Sequence, residues 1–265
     1  MMQLTFKRYE IKYQLTEAQY DRLREAMAAY MVPDEWGAST VCNVYYDTPS
    51  KLLIRRSLEK PVYKEKVRIR SYGALKPGAP VFLELKKKSE GVVYKRRATM
   101  DMERAARFLR GEGDPQTQIE RELDFAVRRY GGLVPSVYLA YDREAFYARD
   151  DHEFRMTFDR RVRYRTSDMD LSMSDAGTQI LPDGKVILEV KCAGAMPLWL
   201  VRFLSAEKLY KTRFSKYGTA YQQMLAAELK QRERQLFVVP QPAASPTRVP
   251  ALRRPTFGES RVAVA

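Results

Sequence analysis

Residues 64–70 read KEKVRIR, a stretch in which basic and apolar residues alternate. Successive side chains of a β-strand point to opposite faces, so residues two apart share a face. One face of this stretch therefore carries Lys64, Lys66, Arg68 and Arg70. The other carries Val67 and Ile69, which can pack into a hydrophobic layer. The pattern predicts a strand with one buried face and one row of positive charges.

The same alternation occurs in four other stretches of the chain. Their charged faces hold Arg8, Glu10 and Lys12; Glu84, Lys86 and Lys88; Glu153, Arg155 and Asp159; and Glu189 and Lys191. Basic residues dominate these faces, and a few carboxylates lie among them. This composition suits a confined site for a polyphosphate and a metal ion better than it suits a solvent-exposed sheet.

Hairpins and meanders with inserted helices predict an α+β fold rather than a parallel sheet, because the sequence shows no strand–helix–strand alternation. Residues 81–99 are typical of a hairpin with a reversal at 89–91, and Thr16 with Gln19 forms a capping box for a first helix. A sheet with a charged face can close into an antiparallel β-barrel. We expect about eight strands, a polar and basic lumen, and helices packed outside.

The net charge and the residue composition limit the kinds of ligand and the cellular location that we expect. The chain has 265 residues, 45% of them hydrophobic, and a formal net charge of +14. Such a charge favours binding to an anionic partner, which could be a phosphate compound, a nucleic acid or an anionic membrane. No apolar run approaches the length of a membrane span, and the first ten residues do not resemble a signal peptide. Cys42 and Cys192 lie far apart, which favours a reduced, cytoplasmic protein.

The chain is expected to form one domain over residues 1–236. Residues 237–265 contain five prolines and scattered arginines without apolar periodicity, so we expect a disordered tail there. The sequence contains no glycine-rich phosphate loop, no zinc-protease motif and no nucleophile elbow. Its single histidine, His152, argues against histidine-based catalysis. Phosphate binding must therefore depend on side chains.

An ordered set of motifs resembles a known family. These are YEIKY at 9–13, YYDT at 45–48, RIR at 68–70, LELK at 83–86, AYDREAF at 140–146, FRMTFD at 154–159, LEVK at 188–191 and FSKY at 214–217. Together they resemble the VTC domain, a polyphosphate polymerase module of the triphosphate tunnel metalloenzymes, the superfamily that includes the CYTH domains. The resemblance covers residues 6–225.

The resemblance implies a tunnel enzyme that transfers the terminal phosphate of a nucleoside triphosphate to phosphate or polyphosphate. We expect ATP to be the donor. It implies a divalent cofactor, Mn²⁺ or Mg²⁺, with Glu189 as the metal-binding glutamate. The matching phosphate-binding positions are Lys12, Arg68, Arg70, Lys86, Lys95 or Arg97, Tyr141, Arg143, Arg155, Ser215 and Lys216. Arg8 stands where the superfamily has its first glutamate, which suggests fewer metal ligands.

The shared strand faces add further candidates. Lys66 and Lys191 join the phosphate-binding set, and Glu10 and Glu84 join Glu189 as metal ligands. Within the whole set, the predicted catalytic residues are Lys12, Arg68, Arg70, Arg143 and Glu10.

Two other functions remain open at this stage. The protein could be a metal-dependent tripolyphosphatase or nucleoside triphosphatase in which a carboxylate such as Glu10 activates water. It could also be a non-catalytic module that binds polyphosphate, nucleotide or RNA. The carboxylates among the bases argue against the binding module, because they repel a bare polyanion unless a metal intervenes. We expect no specific nucleic-acid partner.

Overall fold

The computed structural model describes residues 9–90 and 92–236. Within those ranges it contains ten strands and six helices. The strands are β1 Tyr9–Thr16, β2 Met31–Asp47, β3 Tyr63–Tyr72, β4 Val81–Ser89, β5 Val92–Met100, β6 Val134–Ala148, β7 Arg155–Arg165, β8 Thr178–Gln179, β9 Lys185–Cys192 and β10 Lys211–Thr212. The helices are α1 Glu17–Met27, α2 Leu52–Leu58, α3 Met102–Arg110, α4 Gln118–Arg128, α5 Leu198–Ala206 and α6 Lys216–Leu236. The α+β class is confirmed.

Local sequence signals set several of the helix ends. Thr16 caps α1 as predicted: its hydroxyl accepts from the Gln19 amide, and the Gln19 side chain accepts from the Thr16 amide. Thr117 and Glu120 form the same arrangement at α4. Gly111 follows α3 with a φ of 80°, a left-handed conformation that glycine adopts without a steric penalty.

All strand pairs of the sheet are antiparallel. The eight longer strands follow the order β1-β9-β7-β6-β2-β3-β4-β5; β10 pairs with β1, and β8 pairs with β7. The chain crosses the sheet several times, but β3, β4 and β5 form a meander and β6 and β7 are adjacent. The described residues thus form ten strands rather than the predicted eight or so; eight of these have at least eight residues, and β8 and β10 have two each.

The sheet is strongly rolled. Five strands separate β1 from β4, and neighbouring strands lie about 4.8 Å apart, so a flat sheet would place the two roughly 29 Å from each other. Instead, Lys86 Nζ on β4 lies 2.5 Å from Glu10 Oε2 on β1. The face that carries both side chains must therefore be concave, and we call it the inner face. Among the described strands, no backbone pairing joins β5 to β1.

The outer face holds two hydrophobic clusters with helices packed on them. In one, Leu188 and Phe158 contact residues of α1 and α5, such as Leu23 and Leu200. In the other, apolar residues of β2 to β6 contact α3 and α4, as Ile69 and Phe108 illustrate. Cys192 and Cys42 belong to these clusters and are buried free thiols.

A third cluster lies on the inner face. Tyr45, Leu139 and Ile187 of the sheet pack with Tyr217 and Met224 of α6. The first turns of α6 therefore occupy the concave side of the sheet, where the Tyr217 ring stacks on the Tyr45 ring at 4.5 Å.

The chain divides into two units, Met1–Ala227 and Glu228–Ala265. The first contains the sheet and all of the side chains considered below. Of the second, the structure describes only the last turns of α6, and the predicted tail at 237–265 lies outside the described residues. In the part of the chain that is described, no helix combines the length and apolar character needed to cross a bilayer.

Candidate functional site

The strand registers place the charged rows on one face. On β3 and β4, Arg68 lies opposite Glu84 and Lys66 lies opposite Lys86. On β4 and β5, Glu84 lies opposite Arg97 and Lys86 lies opposite Lys95. Residues directly opposite each other in an antiparallel pair project to the same side. This half of the sheet therefore presents its cations to the concavity.

The other half presents a matching set. Lys12 lies opposite Glu189, and Glu10 lies opposite Lys191. Arg143 lies opposite Asp159 on the neighbouring strand pair. Because the sheet is rolled, these residues face the cations of β3 and β4 across the concave side, as the Glu10–Lys86 contact shows.

A buried arginine cluster surrounds Glu84, which is only 1% exposed. Its carboxylate oxygens lie 2.7 Å from the Arg68 guanidinium, 2.5 Å from that of Arg97 and 2.8 Å from Lys95 Nζ. Arg70 is 3.8 Å away. Burial raises the pKa of Glu84, but these cations outweigh burial and hold it well below its ordinary value. Glu84 is an anion that four cations share.

Two residues outside the predicted set, Asn43 and Tyr45, help the predicted Tyr141 to hold the two central arginines. Asn43 Oδ1 accepts from Arg70 Nε at 3.0 Å, and the Tyr45 hydroxyl accepts from Arg68 at 2.9 Å. The Tyr141 hydroxyl accepts from Arg70 at 3.1 Å. Burial raises the pKa of Tyr141, but the nearby guanidinium and ammonium groups lower it to about 8 overall. Asn43 and Tyr45 lie in a stretch of sequence without alternating charges. The alternation that predicted the other site residues therefore did not indicate these two.

A second buried cluster is centred on Asp159, which has no exposed surface. Arg143 donates to both of its oxygens, at 2.6 and 2.8 Å, and Lys216 Nζ donates at 2.5 Å. Burial raises the pKa of Asp159, but Arg143 and Lys216 outweigh it and lower that pKa to about 2. The alternation in the sequence predicted that Asp159 lies on the charged face, but it assigned this residue no role. The structure shows that it fixes two predicted phosphate-binding residues.

Glu189 lies between two lysines. Its carboxylate is 3.1 Å from Lys191 Nζ and 3.6 Å from Lys12 Nζ, and Lys12 also donates to the Phe214 carbonyl at 3.2 Å. Burial raises the pKa of Glu189, but the charges of Lys191 and Lys12 hold it well below its ordinary value. The carboxylate is therefore ionised at neutral pH and available to a cation.

The three predicted metal ligands do not gather at one point. Glu10 pairs with Lys86, Glu189 pairs with Lys12 and Lys191, and Glu84 sits in the arginine cluster. In residues 9–90 and 92–236, no group of three or more His, Cys, Asp or Glu side chains could hold a metal ion. Burial and the charge of Glu189 raise the pKa of Glu10, but the charges of Lys86 and Lys191 outweigh them and lower it overall. Glu10 and Glu189 therefore lie close enough to interact. Mg²⁺ is often held by only one or two carboxylates, with phosphates and water completing its shell. The pair fits that donor set.

Lys66 differs from its neighbours. Its Nζ donates to Ser215 Oγ at 3.1 Å, and within the described ranges no carboxylate lies at ion-pair distance from it. Burial, together with the positive charges of Lys12 and Lys86, lowers the pKa of Lys66 to about 7. A cation held among cations is suited to accept an anionic ligand.

Two predicted residues, Arg155 and Lys95, lie toward the edge of this arrangement. The Arg155 side chain is 40% exposed and pairs with Asp34 at 3.4 Å. The Lys95 side chain is 44% exposed, and solvent weakens the effect of its charged neighbours. Ser215 and Lys216 stand at the start of α6, where the Ser215 hydroxyl accepts from the Gly218 amide. Arg8 lies outside the described residues.

The arrangement is a curved sheet lined with basic side chains drawn from seven strands and a helix start. Comparison with family models gives a match to the VTC domain over residues 7–225. The chain belongs to the VTC domain family. The family match of this VTC domain spans the whole rolled sheet and the first turns of α6.

Solved structures with a similar fold are distant in sequence. A candidate adenylate cyclase from Bacillus halodurans is 13% identical with a TM-score of 0.51, and the match covers 80% of this chain and 96% of that one. A candidate adenylyl cyclase from Hippeastrum with a dominant triphosphatase activity is 17% identical with a TM-score of 0.47, covering 78% and 92%. The first likeness shows a shared fold. No curated protein matches the VTC domain described here.

Proposed function

We propose that this VTC domain is a metal-dependent phosphotransferase of the polyphosphate polymerase type. It transfers the terminal phosphate of a nucleoside triphosphate to phosphate or to the end of a polyphosphate chain. One observation carries the proposal: the registers and the rolled sheet bring Lys12, Lys66, Arg68, Arg70, Lys86, Arg143 and Lys216 to one concave face. Family membership supports the choice of a triphosphate as ligand.

The rolled sheet is proposed to enclose a tunnel. The side chains of Glu10 and Lys86 already meet across the gap between β1 and β4. A barrel of the eight longer strands would then hold the phosphates in a line, with water largely excluded. An experimental structure in which Glu10 and Lys86 are far apart on an open sheet would refute the tunnel.

The cations divide into two proposed roles. Arg68, Arg70 and Arg143 carry planar guanidinium groups that can bind phosphate oxygens in pairs, and neighbouring carboxylates and hydroxyls fix their orientation. Lys12, Lys66 and Lys86 supply compact positive charge to the same space. Phosphoryl transfer needs positioning and charge stabilisation more than a covalent nucleophile. A site built from fixed cations meets that need.

Glu189, with Glu10 beside it, would hold a divalent cation, Mn²⁺ or Mg²⁺. When bound, the cation supplies positive charge that offsets the charge developing on the phosphate oxygens. The residues themselves keep their ionised state without it, because Lys12 and Lys191 stabilise the Glu189 carboxylate. Glu84 remains a predicted metal ligand, although its oxygens are occupied by arginines and Lys95 in this structure.

Incubation with ATP and Mn²⁺ or Mg²⁺ tests the proposal directly. Polyphosphate is resolved by gel electrophoresis, and released orthophosphate is measured separately. The expected result is a ladder of polyphosphate that requires the metal and is absent in Arg70→Ala. Release of orthophosphate without polymer would establish the hydrolase instead. Tight binding without turnover under any metal would establish the binding module.

A further inference from the structure

Two aromatic residues continue the inner face beyond the arginine cluster. Tyr72 follows Arg70 by two positions on β3, and Phe82 precedes Glu84 by two positions on β4. They therefore project to the same side as the cluster. Exposure rises along the face, from 5% for Arg70 to 43% for Tyr72. The cationic interior thus ends in an accessible aromatic edge.

Arg97 joins this edge to the cluster. Its guanidinium carbon lies 4.6 Å from the centroid of the Phe82 ring, and it donates to the Tyr72 hydroxyl at 3.3 Å. The same guanidinium is 2.5 Å from Glu84. The Tyr72 and Phe82 rings meet edge to face, with centroids 5.7 Å apart at an angle of 74°. The two rings are consequently held in a fixed orientation next to the phosphate-binding residues.

The opposite end of the inner face is filled. The Tyr217 hydroxyl of α6 donates to Asp47 Oδ2 at 3.0 Å, and Asp47 follows Tyr46, which pairs with Val67. The helix therefore covers the Lys66 end of β3. Tyr72 lies six residues further along the strand, roughly 20 Å away at a rise of about 3.3 Å per residue. The nucleoside of a triphosphate bound to the arginines can therefore lie on the Tyr72 side, away from α6.

We propose that Tyr72, supported by Phe82 and Arg97, is a stacking subsite for the base of a nucleoside triphosphate. The inference rests on the proposed function and adds the recognition of the nucleoside. Nucleobases stack on aromatic side chains and on arginine planes. A planar base attached to phosphates on Arg68 and Arg70 would lie against the Tyr72 ring. Tripolyphosphate, which has no base, would bind the same cations without this contact.

The test compares the affinities of ATP and tripolyphosphate by calorimetry in EDTA, which prevents metal-dependent turnover. The variants are Tyr72→Ala, which removes the ring, and Tyr72→Phe, which keeps it. Tyr63→Ala is the matched control, because Tyr63 is a similarly exposed tyrosine on β3 that faces the other side. Circular dichroism and thermal melting verify that each variant is folded.

We expect Tyr72→Ala to weaken ATP binding roughly tenfold or more, while tripolyphosphate affinity changes by less than about twofold. Tyr72→Phe and Tyr63→Ala should retain the wild-type ratio of the two affinities. Equal losses for both ligands, or no loss for either, in a folded Tyr72→Ala would overturn the subsite and leave the proposed function standing. Failure of the wild-type protein to bind tripolyphosphate both in EDTA and in the presence of Mn²⁺ would instead overturn the proposed function.

Discussion

Replacing Glu189 by glutamine separates a metal ligand from a structural ion pair. The substitution keeps the size and hydrogen-bonding capacity of the side chain and removes its charge. Lys191 and Lys12, at 3.1 and 3.6 Å, then lose a buried counter-charge. We expect a loss of about 2 kcal/mol in the free energy of unfolding. For a domain of this size that corresponds to a fall in melting temperature of roughly 4–8 °C.

The same change acts on ligand binding in two opposite ways. Without metal, a carboxylate about 6 Å from a phosphate charge repels it by roughly 1–3 kcal/mol at an effective dielectric constant near 20. Tripolyphosphate should therefore bind Glu189→Gln roughly ten- to a hundredfold more tightly in EDTA. With metal, turnover should fall on the order of a thousandfold, because the cation that offsets transition-state charge is lost.

The assays are calorimetry with tripolyphosphate in EDTA and steady-state turnover of ATP across a Mn²⁺ titration. Glu144→Gln is the matched control, since Glu144 is ion-paired with Arg160 at 2.5 Å on the outer face of the sheet. It should lose stability and retain turnover. Normal metal-dependent turnover in a folded Glu189→Gln would refute the metal assignment and leave Glu189 as a partner of Lys191 and Lys12.

Four further predictions concern the charged interior and the C-terminal residues. Arg70→Ala and Arg143→Ala should each weaken tripolyphosphate binding by about 1.5–3 kcal/mol, and unchanged calorimetric affinity in both would count against the site. Binding should take up protons near pH 7–8, because phosphate charge raises the lowered pKa of Lys66; calorimetry in two buffers should detect this uptake in wild type and not in Lys66→Met. Because the pKa of Lys66 is lower in the folded protein, the unfolded state keeps the Lys66 proton to a higher pH. This lysine should therefore make the free energy of unfolding rise between pH 7 and about 10. The same pH dependence of stability in Lys66→Met as in wild type would disprove this. Truncation after Val239 should leave melting temperature and turnover unchanged, and a loss of either would show that residues 240–265 contribute to the domain.

The strand and helix boundaries were largely encoded locally. The alternation around Arg68 determined which side chains share a face, because the period of two is a property of the extended backbone. The capping box at Thr16 determined where the first helix begins. The family followed from the order of the motifs and is confirmed by the match over residues 7–225.

Local sequence did not determine which charged side chains contact each other across the sheet. The alternation could place Glu10, Glu84 and Glu189 on one face, but it could not show how far apart they lie around the curved sheet. In the structure, Glu84 pairs with arginines, whereas Glu10 and Glu189 lie near each other. Strand order and curvature decide this, and both depend on contacts between residues far apart in sequence.

The sequence by itself thus determined the fold class, the charged faces and the family of this protein. Only the tertiary structure showed that Asp159 holds Arg143 and Lys216, that Asn43 orients Arg70, and that Tyr72 lies at the accessible end of the face. The physical reason is one of range. Backbone periodicity acts over a few residues, whereas ion pairs and ring contacts form between strands that the rolled sheet brings together from across the chain.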